Sequence, residues 1–225
     1  MLSGHGVVAI WNGISEEGRR EFYDWHLHEH MPERVGIPGF RRGRRYRAVD
    51  KTTHPEFFTL YEVDAFEVLQ GQDYANRLNA PTPWTKRATS HFKDTSRGLA
   101  RVLASSGPGS GGVLATVRFG VSESHAENAR AGLIRLVPEL VTLSQITGVH
   151  LCRADNEASG TKSAESRDRT DIQGPPSWFA LIEACTTEAL DEPVRRVIAT
   201  PGIEGAQVGR YAHEYTRLKT DWAAG

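Results

Sequence analysis

The chain has 225 residues, 39% of them hydrophobic, and a net charge of −1, so it can bury a core but exerts no global attraction on nucleic acid or an anionic membrane. Its two cysteines lack CxxC spacing, which excludes a disulfide framework, and no stretch approaches the roughly 18 apolar residues of a membrane span. These features predict a cytoplasmic protein whose partner is neither nucleic acid nor a membrane.

The first predicted elements are a strand and a helix. The apolar run VVAIW, residues 7–11, indicates a strand rather than a signal peptide. Ser15, followed by two glutamates, is typical of a helix start, and we expect the helix to run from about residue 16 to the low thirties.

Four polar side chains of this helix share one face, because their spacing is i, i+3, i+4 and i+7. They are His26, Glu29, His30 and Glu33. His28, between them, points elsewhere. The cluster is the first candidate for a functional site.

The second predicted strand is rich in arginine. It follows a Pro-Gly step and spans FRRGRRYRA, residues 40–48. Such charge is typical of an exposed sheet edge, which it protects from edge-to-edge aggregation. Alternation along the strand separates two sets of side chains. One set is Arg42, Arg44 and Tyr46, and the other is Arg41, Arg45 and Arg47. One face could instead hold an anionic substrate, with Arg45, Arg44 or Tyr46 as its contacts.

The remaining elements of the first half complete a strand-helix-strand-strand-helix-strand order. FFTLYEV, residues 57–63, is an apolar strand, a helix is expected over about 66–79, and TSRGLARVLAS, residues 95–105, is the last strand. Trp84 and His91 come near the end of the second helix. They either pack and cap that end or line the rim of a cavity.

The second half of the chain repeats the first. FFTLYEVDAFEVL, residues 57–69, aligns without a gap with WFALIEACTTEAL, residues 178–190. The spacing between the copies grows along the chain because of one insertion, residues 156–176, which has almost no apolar residues and predicts a mobile, dispensable loop. With the SSGPGSGG linker between the copies, the predicted units are 1–106 and 112–219.

The His30-Met31-Pro32 motif on the first helix, followed by Pro38-Gly39 before the second strand, resembles the EthD-like branch of the dimeric α+β barrel superfamily. The resemblance covers the first unit well and the second only in plan. It implies an α+β fold in which two tandem ferredoxin-like (βαββαβ) units pack sheet to sheet as an α+β barrel. It also implies an enzyme whose partner is a small-molecule substrate, and we expect a monomer or homodimer. Members include polyketide cyclases, lactone isomerases, cofactor-free monooxygenases and haem enzymes, so the fold does not select the chemistry.

The histidine cluster predicts acid/base catalysis, because an imidazole pKa of about 6.5 lets one ring accept a proton and another donate it near neutrality. We expect His30 as the principal acid or base, His26 as its partner, and Glu29 or Glu33 as an orienting carboxylate. The expected reaction needs no organic cofactor and no metal. It is of the isomerase, cyclase, lyase or cofactor-free oxygenase type, on a carbonyl, phenolic or lactone substrate.

Three alternatives remain open. His26, Glu29 and His30 match the H-x-x-E-H spacing of a metal-dependent hydrolase. The protein could also be a non-catalytic ligand-binding or haem-binding protein, or the cluster could be a solvated helix face. The second unit favours a function: aligning Pro32 with Pro138 places Leu136 opposite His30 and Gly132 opposite His26. The cluster is then confined to the first unit, and the second unit is degenerate.

Overall fold

A computed structural model describes residues 1–167 and 169–220 of the chain. Within these ranges the chain forms nine β-strands and seven α-helices, with short π- and 3₁₀-helical segments between some of them. None of the helices in these ranges is long and apolar enough to cross a membrane.

The first half follows the predicted order, with differences in its helices. The elements are β1 Gly6–Ile14, α1 Arg19–Trp25, a π-helical segment His26–His30, α2 Met31–Gly36, β2 Phe40–Ala48, β3 Phe57–Val63, a 3₁₀ segment Phe66–Gln70, α3 Gln72–Asn79, α4 Pro83–Thr89 and β4 Phe92–Ser106. We call residues 19–36 the first helix, since α1, the π-helical segment and α2 are continuous. It starts three residues later than predicted. The predicted second helix begins as a 3₁₀ turn.

The second half repeats this plan with a longer helix and an inserted segment. The elements are β5 Val113–Val121, α5 Ala126–Leu140, β6 Ile146–Ala154, α6 Asn156–Gly160, β7 Ile172–Gln173, β8 Trp178–Ala184, α7 Asp191–Ile198 and β9 Ile203–Leu218. Both α6 and β7 belong to the insertion, residues 156–176. The two-residue strand β7 runs parallel to β4 and only extends it.

Each half forms a four-stranded antiparallel sheet, in the orders β4-β1-β3-β2 and β9-β5-β8-β6. The two sheets join at both edges, because β2 pairs with β9 and β4 pairs with β6. The result is a closed eight-stranded barrel within one chain, which confirms the predicted α+β fold. The prediction that β2 is an exposed edge is wrong, because β2 pairs with β9 of the other half of the chain. The sequence pattern of the first unit alone contains no sign of this partner.

The barrel interior is the apolar contact between the two halves. Trp11 of β1 lies 5.0 Å from Phe58 and 5.4 Å from Phe179 of the other half, measured between ring centroids. A fully buried aromatic side chain stabilises a fold by about 1.5–3 kcal/mol relative to an exposed one. Three further apolar clusters lie outside the barrel, one between the second sheet and its helices and two between the first sheet and its helices.

The insertion packs against the first unit, so the prediction of a mobile loop is wrong. Glu165 of the insertion forms a buried ion pair with Arg34 of the first helix. Ser159 accepts a hydrogen bond from the backbone N–H of Leu99, at 2.9 Å. Apolar composition gave no sign of this docking, because the anchors are charges and hydroxyl groups.

Candidate functional site

The first helix bulges where the histidine cluster lies. A π-helical segment accommodates an additional residue in the helix, and here it turns His26 and His30 both inward, where they are 3% and 6% exposed. Their rings stack at 5.4 Å with an interplanar angle of 29°, and Trp25 packs on His30 at 4.3 Å. His28 is exposed, as predicted. Bulges of this kind are frequent at functional sites.

The bulge also corrects the alignment with α5 of the second unit. Matching the buried positions of the two helices places Leu133, rather than Gly132, opposite His26. Leu136, opposite His30, is partly buried and packs on the apolar core of its own unit. At these two positions the layer between helix and sheet therefore has leucine side chains in the second unit and imidazoles in the first.

Burial keeps His30 neutral. Desolvation is the largest cause that lowers its pKa well below the usual value, and the nearby guanidinium of Arg34 adds to it. A neutral imidazole can accept a proton. His30 therefore has the ionisation state that a general base needs before the reaction.

Three buried polar atoms without a protein partner belong to residues that line one small cavity. They are His30 Nδ1, Arg34 Nη1 and the hydroxyl of Tyr61, and the cavity has a volume of about 30 Å³. Burial also raises the pKa of Tyr61, so its hydroxyl stays protonated. The cavity has room for one water molecule. His30 lines this cavity and also a larger pocket, described below.

His26 contacts Arg45 rather than open space. Its Nδ1 lies 3.4 Å from Arg45 Nη1, and because a guanidinium can only donate, Nδ1 is the acceptor and the proton of neutral His26 lies on Nε2. Burial, followed by the charge of Arg45, lowers the pKa of His26. Arg45 itself donates to Glu214 at 2.9 Å. Arg45 therefore orients His26 and does not line the pocket beside His30.

The two glutamates predicted as orienting carboxylates turn away from the histidines. Glu29 accepts hydrogen bonds from Thr82 and Thr85, at 2.6 and 3.0 Å, and so ties the first helix to the start of α4. Glu33 pairs with Arg77 at 3.1 Å. An α-helical wheel placed them with the histidines, but the π-helical segment changes the angular spacing between these positions.

These positions also bear on the metal-hydrolase alternative. In the described ranges, no three His, Cys, Asp or Glu side chains are grouped to hold a metal ion. His26, Glu29 and His30 do not form such a group, and the Glu29 carboxylate accepts hydrogen bonds from Thr82 and Thr85.

Arg44 and Tyr46 lie on the opposite face of β2 from Arg45, inside the barrel. Arg44 bridges two buried carboxylates, at 2.9 Å to Glu62 and 2.8 Å to Glu183 of the other half. Burial raises the pKa of Glu183, but the hydrogen bond from His150 and the ion pair with Arg44 outweigh it and lower this pKa to about 2. Arg44 therefore ties the two sheets together, and the prediction that it contacts substrate with His30 does not match its position.

Trp84 and His91 pack within the fold, which is the first of the two roles predicted for them, and do not line the rim of a cavity beside His30. Trp84 packs on the apolar cluster beneath the first helix. His91 Nδ1 lies 3.0 Å from the hydroxyl of Ser15, at the end of β1. Neither residue lines the pocket that contains His30.

The pocket beside His30 has a volume of about 320 Å³ and lies between the first unit and the insertion. Its apolar wall is formed by Ile10, Trp25 and Phe92, and His30 lies on the same side. The insertion forms the opposite wall. The volume is in the range of small-molecule sites, which is about 300–1,000 Å³.

Several charged residues of this pocket escaped the sequence analysis. They are Arg97 of β4 and, from the insertion, Lys162, Glu165 and Arg169. Alternation along β4 could have placed Arg97 on the helix-covered face, since it lies two residues before the buried Leu99. The polar composition of the insertion carried no corresponding signal.

A larger groove, of about 1,030 Å³, opens at one end of the barrel. Most of its lining residues are exposed, and its Glu56 carboxylate is paired with Arg19 and Arg47. It lacks a buried neutral base, so we assign the candidate site to the pocket beside His30.

No protein-family model matches the chain, and no curated protein sequence does. Solved structures do match. An anthrone oxidase-like protein has a TM-score of 0.63 at 11% identity, over 98% of this chain and 95% of that chain. A candidate monooxygenase from Lactobacillus acidophilus NCFM has a TM-score of 0.59 at 12% identity, over 95% and 96%. A mutant chlorite dismutase from Candidatus Nitrospira defluvii has a TM-score of 0.52 at 9% identity, over 94% and 93%. This similarity confirms the predicted dimeric α+β barrel fold.

Proposed function

We propose that this α+β barrel protein is a cofactor-independent oxygenase, in which His30 removes a proton from a phenolic carbon acid and the resulting anion reacts with O2. The observation that carries the proposal is a neutral, buried imidazole on the wall of a pocket with an aromatic side. The anthrone oxidase-like and monooxygenase neighbours support this reaction class at the level of the fold.

Within this proposal, the two ring nitrogens of His30 have different tasks. Nδ1 is fully buried, which leaves Nε2 as the nitrogen that accepts the substrate proton. Because Nε2 must be free to accept, Nδ1 carries the proton of neutral His30. The hydroxyl of Tyr61 lines the same small cavity and would accept a hydrogen bond from Nδ1 by way of a water molecule, which would orient the ring, whereas the guanidinium of Arg34 can only donate. The Arg97 guanidinium lines the same pocket and would supply positive charge for an anionic substrate.

Anthrone illustrates the balance of the reaction. His30 takes one proton from the CH2 group, and the carbanion gives its electrons to O2. One oxygen atom becomes the new carbonyl of anthraquinone and the other leaves as water, which carries the two hydrogens lost from the CH2 carbon. No further reductant is consumed.

The other reaction types share the first step but differ afterwards. An isomerase, cyclase or lyase would also begin by removing a proton, and would return it or expel a group without taking up O2. The neighbours give no support to these classes, so the oxygenase is the first to test. A haem would need more room than the pocket of about 320 Å³ offers unless the insertion moved, and we derive no step through it.

Oxygen uptake with anthrone and related phenols tests the proposal. The wild-type protein should consume one O2 per anthraquinone formed, and His30→Gln should lower the rate by about two to four orders of magnitude. His28→Gln is the matched control, because His28 lies two residues away and is exposed. Equal rates for wild type and His30→Gln would refute the assignment. A Soret band in the purified protein would instead favour haem.

A further inference from the structure

Arg97 lies where three cavities meet. It stands opposite Ile10 on the neighbouring strand β1, with its side chain on the helix-covered face of the first sheet. It lines the pocket beside His30, the small cavity behind His30, and a third cavity of about 370 Å³ on the other side of the insertion. In the described ranges, its guanidinium forms no ion pair or hydrogen bond within the chain.

The other charges of the pocket are largely compensated. Glu165 pairs with Arg34, and Arg169 pairs with Asp171 at 2.7 Å. Arg97 and Lys162 are the cations of this pocket that form no ion pair among the described residues. Among the described residues, the pocket beside His30 therefore presents two cations without a paired carboxylate next to an apolar wall.

The third cavity differs in this respect. Arg97 and Lys162 share it with the carboxylates of Asp155 and Glu157, which do not line the pocket beside His30. An anion is therefore attracted to the His30 side of Arg97 and repelled on the other side.

We infer that the pocket binds an aromatic organic acid, with the carboxylate on Arg97 and the ring against Trp25 and Phe92. The inference rests on the proposed function of the pocket and names the class of its substrate. A guanidinium presents its donors in a planar fork that matches the two oxygens of a carboxylate. Lys162, on the insertion, adds a second cation at the opposite wall.

The same anion would make His30 a better base. Arg34 and other nearby cations help to lower the pKa of His30 in the free protein. A carboxylate bound on Arg97 adds a negative charge to the pocket and shifts that pKa back towards neutrality, where a general base is most effective. Binding of the acid would thus prepare the proton transfer.

Binding of two matched probes tests the inference without turnover. 2-Naphthoate carries the carboxylate, and 2-methylnaphthalene has the same ring system without a charge. Both are titrated against the full chain, with quenching of tryptophan fluorescence as the signal, because Trp25 lines the pocket. The wild-type protein should prefer 2-naphthoate by at least tenfold, and Trp25→Phe should remove most of the quenching.

Arg97→Gln should remove that preference, whereas Arg97→Lys should keep part of it. The matched control is Arg101→Gln, because Arg101 lies on the same strand but pairs with Glu67 at the surface. Equal affinity of the wild type for both probes, no binding of 2-naphthoate at millimolar concentration, or a preference that survives Arg97→Gln would each overturn the inference. His30→Gln should still bind 2-naphthoate. This binding assay therefore tests the anion site alone, and the oxygen-uptake assay tests the proposed catalysis.

Discussion

Replacing Glu165 by glutamine should destabilise the protein by about 3 kcal/mol, because the buried guanidinium of Arg34 loses its carboxylate partner. The two side chains are 5% and 14% exposed, and loss of one member of a buried pair costs about 3–5 kcal/mol. We take the lower end of that range because Glu165 retains some contact with solvent. In a domain of this size, each kcal/mol lost from the free energy of unfolding lowers the melting temperature by about 2–4 °C.

Differential scanning calorimetry of the full chain measures this change, and Asp64→Asn is the control. Asp64 pairs with Arg41 at the surface, where the side chains are 43% and 58% exposed, so its loss should cost at most about 1 kcal/mol. The double variant Arg34→Met/Glu165→Leu should recover most of the stability, since it leaves no unpaired charge. If Glu165→Gln and Asp64→Asn have the same melting temperature, the insertion is not docked on the first helix as described.

Three further predictions concern charge and assembly. The pKa values of His26 and His30 are lowered in the folded protein, so the unfolded chain takes up protons first as the pH falls. The free energy of unfolding should therefore decrease below about pH 6.5, by up to about 1.4 kcal/mol per pH unit for each histidine, and urea unfolding of wild type and His30→Gln measures this slope. Arg44→Met should cost about 3–5 kcal/mol by the same assay, because two buried carboxylates lose their shared cation. Residues 1–106 alone should self-associate in light scattering, since they expose the barrel interior, and a well-behaved monomer would contradict the closed barrel.

Much of the fold could be predicted because the two halves carry the same pattern. The segments 57–69 and 178–190 align without a gap, and the pattern of each half predicts its strands in the observed order. The pairing of β2 with β9 could not be predicted in this way. The arginines of β2 were typical of a free edge, and only the three-dimensional closure shows that Arg44 is buried between two glutamates.

The candidate site was predicted in part. His26 and His30 lie together and inward as expected, and His28 outward. Glu29 and Glu33 were misplaced because an α-helical spacing was assumed across a π-helical segment. Arg97 and the insertion were missed for a different reason: each is polar, and each joins the pocket through contacts between residues far apart in the chain.

The central claim is that His30 takes a proton from a bound carbon acid, and hydrogen–deuterium exchange tests it most directly. Anthrone is incubated with the protein in D2O without oxygen, and loss of its CH2 signal is followed by proton NMR. The account predicts that wild type and His28→Gln accelerate exchange equally, and that His30→Gln lowers this acceleration by about two to four orders of magnitude. Exchange that is the same in wild type and His30→Gln, or that the protein does not accelerate at all, would contradict it.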